Sequence, residues 1–261
     1  MKKLLLSLAG TFFFIWIVSA QVNPDLIEFQ KPVILKANKI KQISAYLHYP
    51  ESTDDELQFI ELYNANGLIA SKWFTSGSYL QEDSGYIYFY TFNETDNLIG
   101  ISTAGMDEVP YDMEYFFDKK GKLKSADYRS PEPRNYKYLH NKSGQIIEAQ
   151  AFRIPILEGE GDKEFLIEKN FYTYDEAGNL IKNVYHYNPS GDEKFDNETV
   201  YRTEEYRYDP AGKIVKGNIT YSGNNKEEEI YEYNENKLLV KKTIKTSEGV
   251  EKQILYYYQT Y

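Results

Sequence analysis

The side chains that could carry chemistry here are carboxylates, three histidines and an excess of tyrosine. Acidic clusters stand at Asp54-Asp55-Glu56, Asp192-Glu193, Glu204-Glu205 and Glu227-Glu228-Glu229. Two carboxyls facing each other across a cleft, about 5 to 10 Å apart, could hydrolyse a glycosidic bond. Runs of this kind in loops are ordinarily solvated charge. Glu158, Glu160 and Asp162 lie in a Gly-rich stretch and could converge on calcium, although without EF-hand spacing. His48, His140 and His186 share no metal-ligand spacing, and a lone His without an orienting partner is weak evidence for catalysis. Zero cysteine excludes thiol chemistry. No Gly-x-Ser-x-Gly, His-Glu-x-x-His or Walker-type loop occurs. The chain therefore reads as a non-enzyme, with no catalytic residue, cofactor or metal to name. The remaining candidates are aromatic. Trp73, Tyr138, Tyr172, Tyr206 and Tyr231 could stack on a sugar or grip a peptide where a fold leaves them exposed. The alternative is that these rings fill the core of a sheet.

Most of those tyrosines belong to a repeated phrase: aromatic, any residue, Tyr, Asp/Asn, two residues, Gly, one residue, Leu/Ile. The clearest copies are Tyr172–Leu180 and Tyr206–Ile214. Further copies start at Tyr63, Tyr90, Tyr115, Tyr136 and Tyr231, giving turn anchors at 67, 96, 121, 144, 178, 212 and 236. In the first and last of these the Leu (Leu68, Leu238) stands one residue early. Spacings between about 20 and 50 residues mark arrayed units. Within one unit, Tyr-x-Tyr places two rings on one face of a strand. Asp118, Asn141, Asp175 and Asp209 open a turn by accepting backbone N–H groups just ahead. Gly121, Gly144, Gly178 and Gly212 supply positive φ, as in a type I turn closed by a G1 bulge. Asp96 and Asn236 stand in for Gly, being the types that best tolerate left-handed geometry. Each copy is a β-hairpin.

Lys39–Tyr46 parallels the trailing half of a copy, so the array spans residues 37–261 after a lead-in at 21–36. Seven hairpins make about 14 strands. Open sheets beyond about 10 strands curl, split or close. The expected fold is all-β: about seven antiparallel hairpins in one long curved or spiralling meander sheet, or a partly closed one. Ser130-Pro131-Glu132-Pro133-Arg134 could act as a joint within it. The two longest spacings come from polar inserts at 153–166 and 188–200, which should leave the same edge of the sheet.

Residues 1–20 have the form of a signal peptide: Lys2 and Lys3, an apolar run Leu4–Val18, then Val18-Ser19-Ala20. That run is shorter than a spanning helix requires, and no second stretch reaches that length. Removing it changes the formal charge from −10 to −12, with 28 basic against 40 acidic residues. Such a chain repels phosphate backbones, which excludes nucleic acid as a partner. No disulfide is available, so stability must come from apolar burial and strand pairing.

The phrase at Tyr172–Leu180 and Tyr206–Ile214 resembles the YD repeat of bacterial Rhs and wall-associated proteins, which reads Tyr-Asp-x-x-Gly-x-Leu. A weaker likeness joins the chain to short exported repeat proteins of Bacteroidetes, some with MORN-variant repeats. The first resemblance implies a sheet wound into a shell, linked to carbohydrate binding, cell-surface contact or toxin encapsulation. It carries over no catalytic residue, because the repeat contains none. The functional expectation is an exported, non-catalytic module that binds carbohydrate or protein in the periplasm, at the outer surface or outside the cell. The alternatives are an immunity-like partner of a toxin, or a polysaccharide hydrolase using loop carboxylates.

Overall fold

The computed structural model describes residues 31–75, 85–104, 112–129, 133–154, 164–188, 200–249 and 251–261. The signal-peptide reading, the calcium candidates Glu158, Glu160 and Asp162, and the interiors of both inserts lie outside these residues. A short helix, α1 (Pro32–Ala37), precedes sixteen strands. These are β1 (Ile40–His48), β2 (Glu56–Tyr63), β3 (Ile69–Thr75), β4 (Gly85–Phe92), β5 (Leu98–Ala104) and β6 (Asp112–Phe117). Then come β7 (Leu123–Arg129), β8 (Arg134–His140), β9 (Ile146–Arg153), β10 (Phe165–Tyr174) and β11 (Leu180–Tyr187). The last are β12 (Val200–Tyr208), β13 (Ile214–Tyr221), β14 (Lys226–Tyr233), β15 (Leu239–Thr246) and β16 (Glu251–Thr260).

Every strand pairs with its sequence neighbours, and β1 pairs with β16, so the sheet is a closed antiparallel barrel. This corrects the expected open meander of about seven hairpins. All-β holds, but an open sheet would leave two edges with unpaired backbone groups, and closure removes both. The closing seam joins eight residue pairs from Ile40↔Thr260 to His48↔Gln253. It is an eighth hairpin divided between the chain ends, with leading strand Tyr256-Tyr257-Tyr258 and trailing strand β1. The seam is reinforced where the Tyr261 N–H donates to the Lys39 carbonyl at 3.0 Å.

The seven turns follow the chemistry read from the phrase. Asp209 accepts the N–H groups of Ala211 and Lys213, both at 2.9 Å. The Gly212 N–H returns to the Asp209 carbonyl at 2.9 Å. The register then slips between Arg207 and Tyr208, which is the G1 bulge. Positive φ falls at Gly67, Gly121, Gly144, Gly178 and Gly212, and also at Asp96 and Lys237. The last of these corrects the sequence reading. Asn234 opens that turn, so the position three residues on is Lys237 rather than Asn236. Ile69 and Leu239, not Leu68 and Leu238, restart the strand, so neither copy is a residue short.

The seven turns gather at one end of the barrel, because each joins an even-numbered strand to the next odd one. Helix α1 caps this end. Leu35, 1% exposed, packs with Ile40, Ile43 and Leu238, and with Tyr63, Tyr256 and Tyr258 around them. A Cβ on Gly67 would meet the Pro32 carbonyl at 2.3 Å, so glycine there serves both the turn and the cap. The longer connections, both inserts among them, leave the opposite end. Strands β7 and β8, on either side of the expected joint, pair directly through four residue pairs.

The sheet is one layer thick, yet one of its faces is buried. Only the concave side of a closed sheet can cover large rings without a second layer, so the buried face is the lumen. Tyr115, Tyr138, Tyr172, Tyr206 and Tyr231 lie on it, each under 8% exposed.

Candidate binding site

The first Tyr of each copy seals the wall. Tyr206 donates to Glu204 Oε2 at 3.1 Å, and Tyr231 donates to Glu229. Burial first, and then the adjacent carboxylate, hold both hydroxyls far above their ordinary pKa, so they remain donors. Gly217 pairs with both Tyr206 and Glu229. A Cβ there would press on Glu229 at 3.2 Å and on the Tyr206 ring at 3.4 Å, so glycine makes room for them. Glu229 is balanced by Lys242 at 2.5 Å. Glu204 is held by Asn183 at 3.1 Å and Arg202 at 3.0 Å. Glu61 pairs with Lys72 at 2.8 Å and accepts from Tyr63 at 2.6 Å. These carboxylates are neutralised within the wall.

The second Tyr of each copy is a latch between repeats. Tyr174 donates to the Ile146 carbonyl, Tyr208 to Leu180 and Tyr233 to Ile214, at 2.8, 2.7 and 2.9 Å. Tyr258 does the same to Leu239. In every case the acceptor is the residue that restarts the strand in the preceding copy. Burial and then Asp209 push the Tyr233 hydroxyl up to about 12. His140 occupies the latch position of its own copy. Its Nε2 is buried without a partner, and burial, then Lys122, lower its pKa, so the ring is neutral near pH 7.

The aromatics singled out from sequence are thus divided between the two faces. Tyr138, Tyr172, Tyr206 and Tyr231 are packed inside the lumen wall. Trp73 points outward, between Ile60 and Ile87 on the neighbouring strands. Of the other histidines, His48 meets Asp55 at 2.8 Å and His186 is buried against Phe171. Among the described residues no group of three His, Asp or Glu could hold a metal.

A different set of side chains converges at the end of the lumen opposite α1, on β8 to β12. Arg134 and Arg153 stand directly opposite one another, a like-charge pairing that costs stability unless compensated. Arg134 is met by Glu168 at 2.5 Å. The Arg153 guanidinium lies 5.2 Å from the Phe165 ring centre. Glu168 pairs with Tyr187 and Asn170 with Tyr185, which carries the wall across to β11. Tyr185 and Tyr187 stack at 6.3 Å with 15° between planes, and Tyr201 stands edge-on to both at 5.7 and 6.0 Å. Arg202 lies 5.5 Å from the Tyr185 ring centre. Tyr201 is the extra residue of a bulge between β11 and β12 and is 45% exposed. The set combines an aromatic platform, guanidinium donors and a carboxylate acceptor at a concave mouth, the composition of a site for a polyhydroxylated or peptide ligand.

Sequence reasoning assigned none of these side chains to a site, naming Arg134 only as part of a joint, although it pointed to the inserts that begin and end beside them. Their signal was positional: Arg134, Arg153, Tyr185, Tyr187 and Arg202 all have lumen parity at the loop end of their strands.

No protein-family model and no curated protein matches the chain. Among solved structures, a porin-like protein from Bacteroides uniformis matches 85% of this chain and 97% of its own at 12% identity and a TM-score of 0.51. At that identity the likeness is one of fold alone. A TcdB2-TccC3-TEV structure matches 78% of this chain and 10% of its own at 15% identity, with a TM-score of 0.34, too low to support an argument.

Proposed function

We propose that the chain is an exported, non-catalytic barrel of the bacterial envelope that holds a carbohydrate ligand at the mouth of its lumen. The observation that carries this reading is the wall of Tyr185, Tyr187 and Tyr201 with Arg134, Glu168 and Arg202. It stands where the repeats depart from their own pattern. The sealed wall accounts for Tyr138, Tyr172, Tyr206 and Tyr231 and the latches for Tyr174, Tyr208, Tyr233 and Tyr258 as fold chemistry, and the porin-like neighbour supports an envelope location at the level of architecture.

The barrel works in water rather than in lipid. Among the described residues no helix is long and apolar enough to cross a membrane, which says nothing of strands. The outer wall does bear on strands. Residues that pair across strands share a face, so Lys137, Lys169, Lys182, Lys216 and Lys241 all point outward. Each Lys at the middle of a bilayer costs about 2–4 kcal/mol on the lipid face of a barrel. Near the interfaces the cost falls to about 0–1 kcal/mol, so five outward lysines disfavour a lipid-facing wall by an amount set by their depth.

A glycan array followed by titration tests the reading. Tyr201→Ala should weaken binding of the best ligand about two- to tenfold, matching the 0.5–1.5 kcal/mol of a stacked aromatic. Binding to no glycan, or binding that is indifferent to Tyr201, Tyr187 and Arg202, overturns it.

A further inference from the structure

Consecutive residues of a strand face opposite ways, yet Tyr201 and Arg202 both stand on the lumen side of β12. The bulge that sets Val200, Tyr201 and Arg202 against only Tyr185 and His186 is the reason. Arg202 keeps the parity of Glu204 and Tyr206, while Tyr201 turns its ring edge-on to Tyr185 and Tyr187. Glu204 then fixes how Arg202 is held. Its Oε1 stands 3.0 Å from Arg202 Nε. Its Oε2 accepts from Asn183 and Tyr206, both at 3.1 Å. The carboxylate is wholly engaged with the wall. Arg134 is held differently, with Glu168 at its Nη1. An ion pair at Nε leaves the Nη side of a guanidinium facing away from it, and among the described residues nothing accepts from either Nη of Arg202. The side chain is 37% exposed, against 23% for Arg134, 20% for Lys72 and 14% for Lys242. A guanidinium fork carries donors only, and it matches an acceptor-only carboxylate through two parallel bonds.

We propose that the mouth selects a carboxylated saccharide of the uronic acid class, with its carboxylate on the Nη fork of Arg202 and its ring against Tyr201. This rests on the carbohydrate reading above and adds a charge to the ligand. Fork and ring are neighbours on the same platform: Arg202 lies 5.5 Å from the Tyr185 ring centre, and the Tyr201 ring 5.7 Å from it. The chain carries a formal charge of −10, but beyond about 8 Å at physiological ionic strength such charge is screened. What favours the acid group is therefore local. Glu227, a lumen carboxylate two strands on, is occupied by the Tyr221 hydroxyl at 3.2 Å. An acidic peptide is the poorer occupant. It brings backbone N–H donors that need acceptors, and Glu168 and Glu204 already receive Arg134, Asn183, Tyr206 and Arg202. A sugar hydroxyl can turn and accept instead.

An array that prints each uronate oligosaccharide beside its carboxyl-reduced, neutral form, followed by titration of the best pair, tests this on the full chain. The parent should bind the acid form about ten- to a hundredfold more tightly, the worth of hydrogen bonding to a charged group. That comparison needs no variant. Arg202→Lys keeps a cation for Glu204 and removes the planar fork. It should lose most of the preference, bind the reduced form as the parent does and keep the parent's circular dichroism spectrum. Tyr201→Ala should weaken both forms alike. Equal binding of the two forms by the parent overturns the inference and leaves the carbohydrate reading standing, whereas binding of neither overturns both. A preference that survives Arg202→Lys unchanged overturns it too, as does a preference for sulfated over carboxylated sugars. Tighter, Arg202-dependent binding of a polyglutamate peptide would overturn it in favour of a peptide ligand.

Discussion

The arc from β10 to β16 and the arc from β2 to β9 are built from the same hairpin, yet they are fastened differently. In the first arc a tyrosine hydroxyl ties each copy to the one before it, at Tyr174, Tyr208, Tyr233 and Tyr258. In the second arc Phe92, Phe117 and His140 hold that position with no hydroxyl to give, and Tyr63 donates to Glu61 within its own strand. Among the described residues the shortest pairing also lies there: β5 and β6 share two residue pairs, Gly100↔Glu114 and Ile101↔Met113, against seven between β12 and β13. The phrase therefore specifies a hairpin in either arc, while a single oxygen decides how firmly successive hairpins are joined.

The largest way to break this contrast is to attack the latched arc where its charge is buried. Glu229→Ala leaves Lys242, whose side chain is 14% exposed, without its carboxylate. A buried pair broken from one side costs about 3–5 kcal/mol. Urea unfolding should show a loss of that order, and a loss below about 1 kcal/mol would mean that the pair is effectively solvated. Next comes the latch itself. Tyr208→Phe should cost about 1–2 kcal/mol, because the Leu180 carbonyl loses its donor. The reverse substitution sharpens the comparison. His140→Tyr removes a buried ring nitrogen without a partner and places a hydroxyl where the pattern would aim it at the Leu123 carbonyl. We expect a gain of about 1 kcal/mol, read as a higher denaturant midpoint at unchanged slope.

The smallest effect is one of pH, and it is shared by both arcs. Backbone N–H bonds from Lys122 first depress Asp118, and those from Lys213 first depress Asp209. The Asn179 side chain first depresses Asp175. A carboxyl whose pKa is lower in the folded state contributes stability above its unfolded value, about 4. That contribution is lost as pH falls through the folded value. Melting temperature should therefore fall progressively below about pH 4, and less so in Asp118→Asn, which keeps the acceptor and loses the titration.

Much of this was legible in the residues. Asp209, Gly212 and Tyr208 state a turn, a positive φ and an inward ring, because those are local matters of backbone and period. The slip at Asn236 arose because the register was counted from the Leu rather than from Asn234; a lysine at positive φ is uncommon and gave no warning. Closure was not legible. A hairpin constrains only its two strands, and nothing in Tyr256–Tyr258 declares that its partner is Ile40–His48, some 210 residues earlier. The mouth was hidden for the same reason: Arg134, Glu168 and Tyr201 become neighbours only when the ring bends.

That closure orders the life of the molecule. The strand made first waits for the strand made last, so no length of chain short of the whole can complete the ring. Until then β1 and the growing end are both open edges, slow to find each other and prone to pairing with strangers. A chain exported before folding, as proposed above, is well served by such an arrangement. The clasp between β1 and β16 cannot fasten until the last strand has arrived.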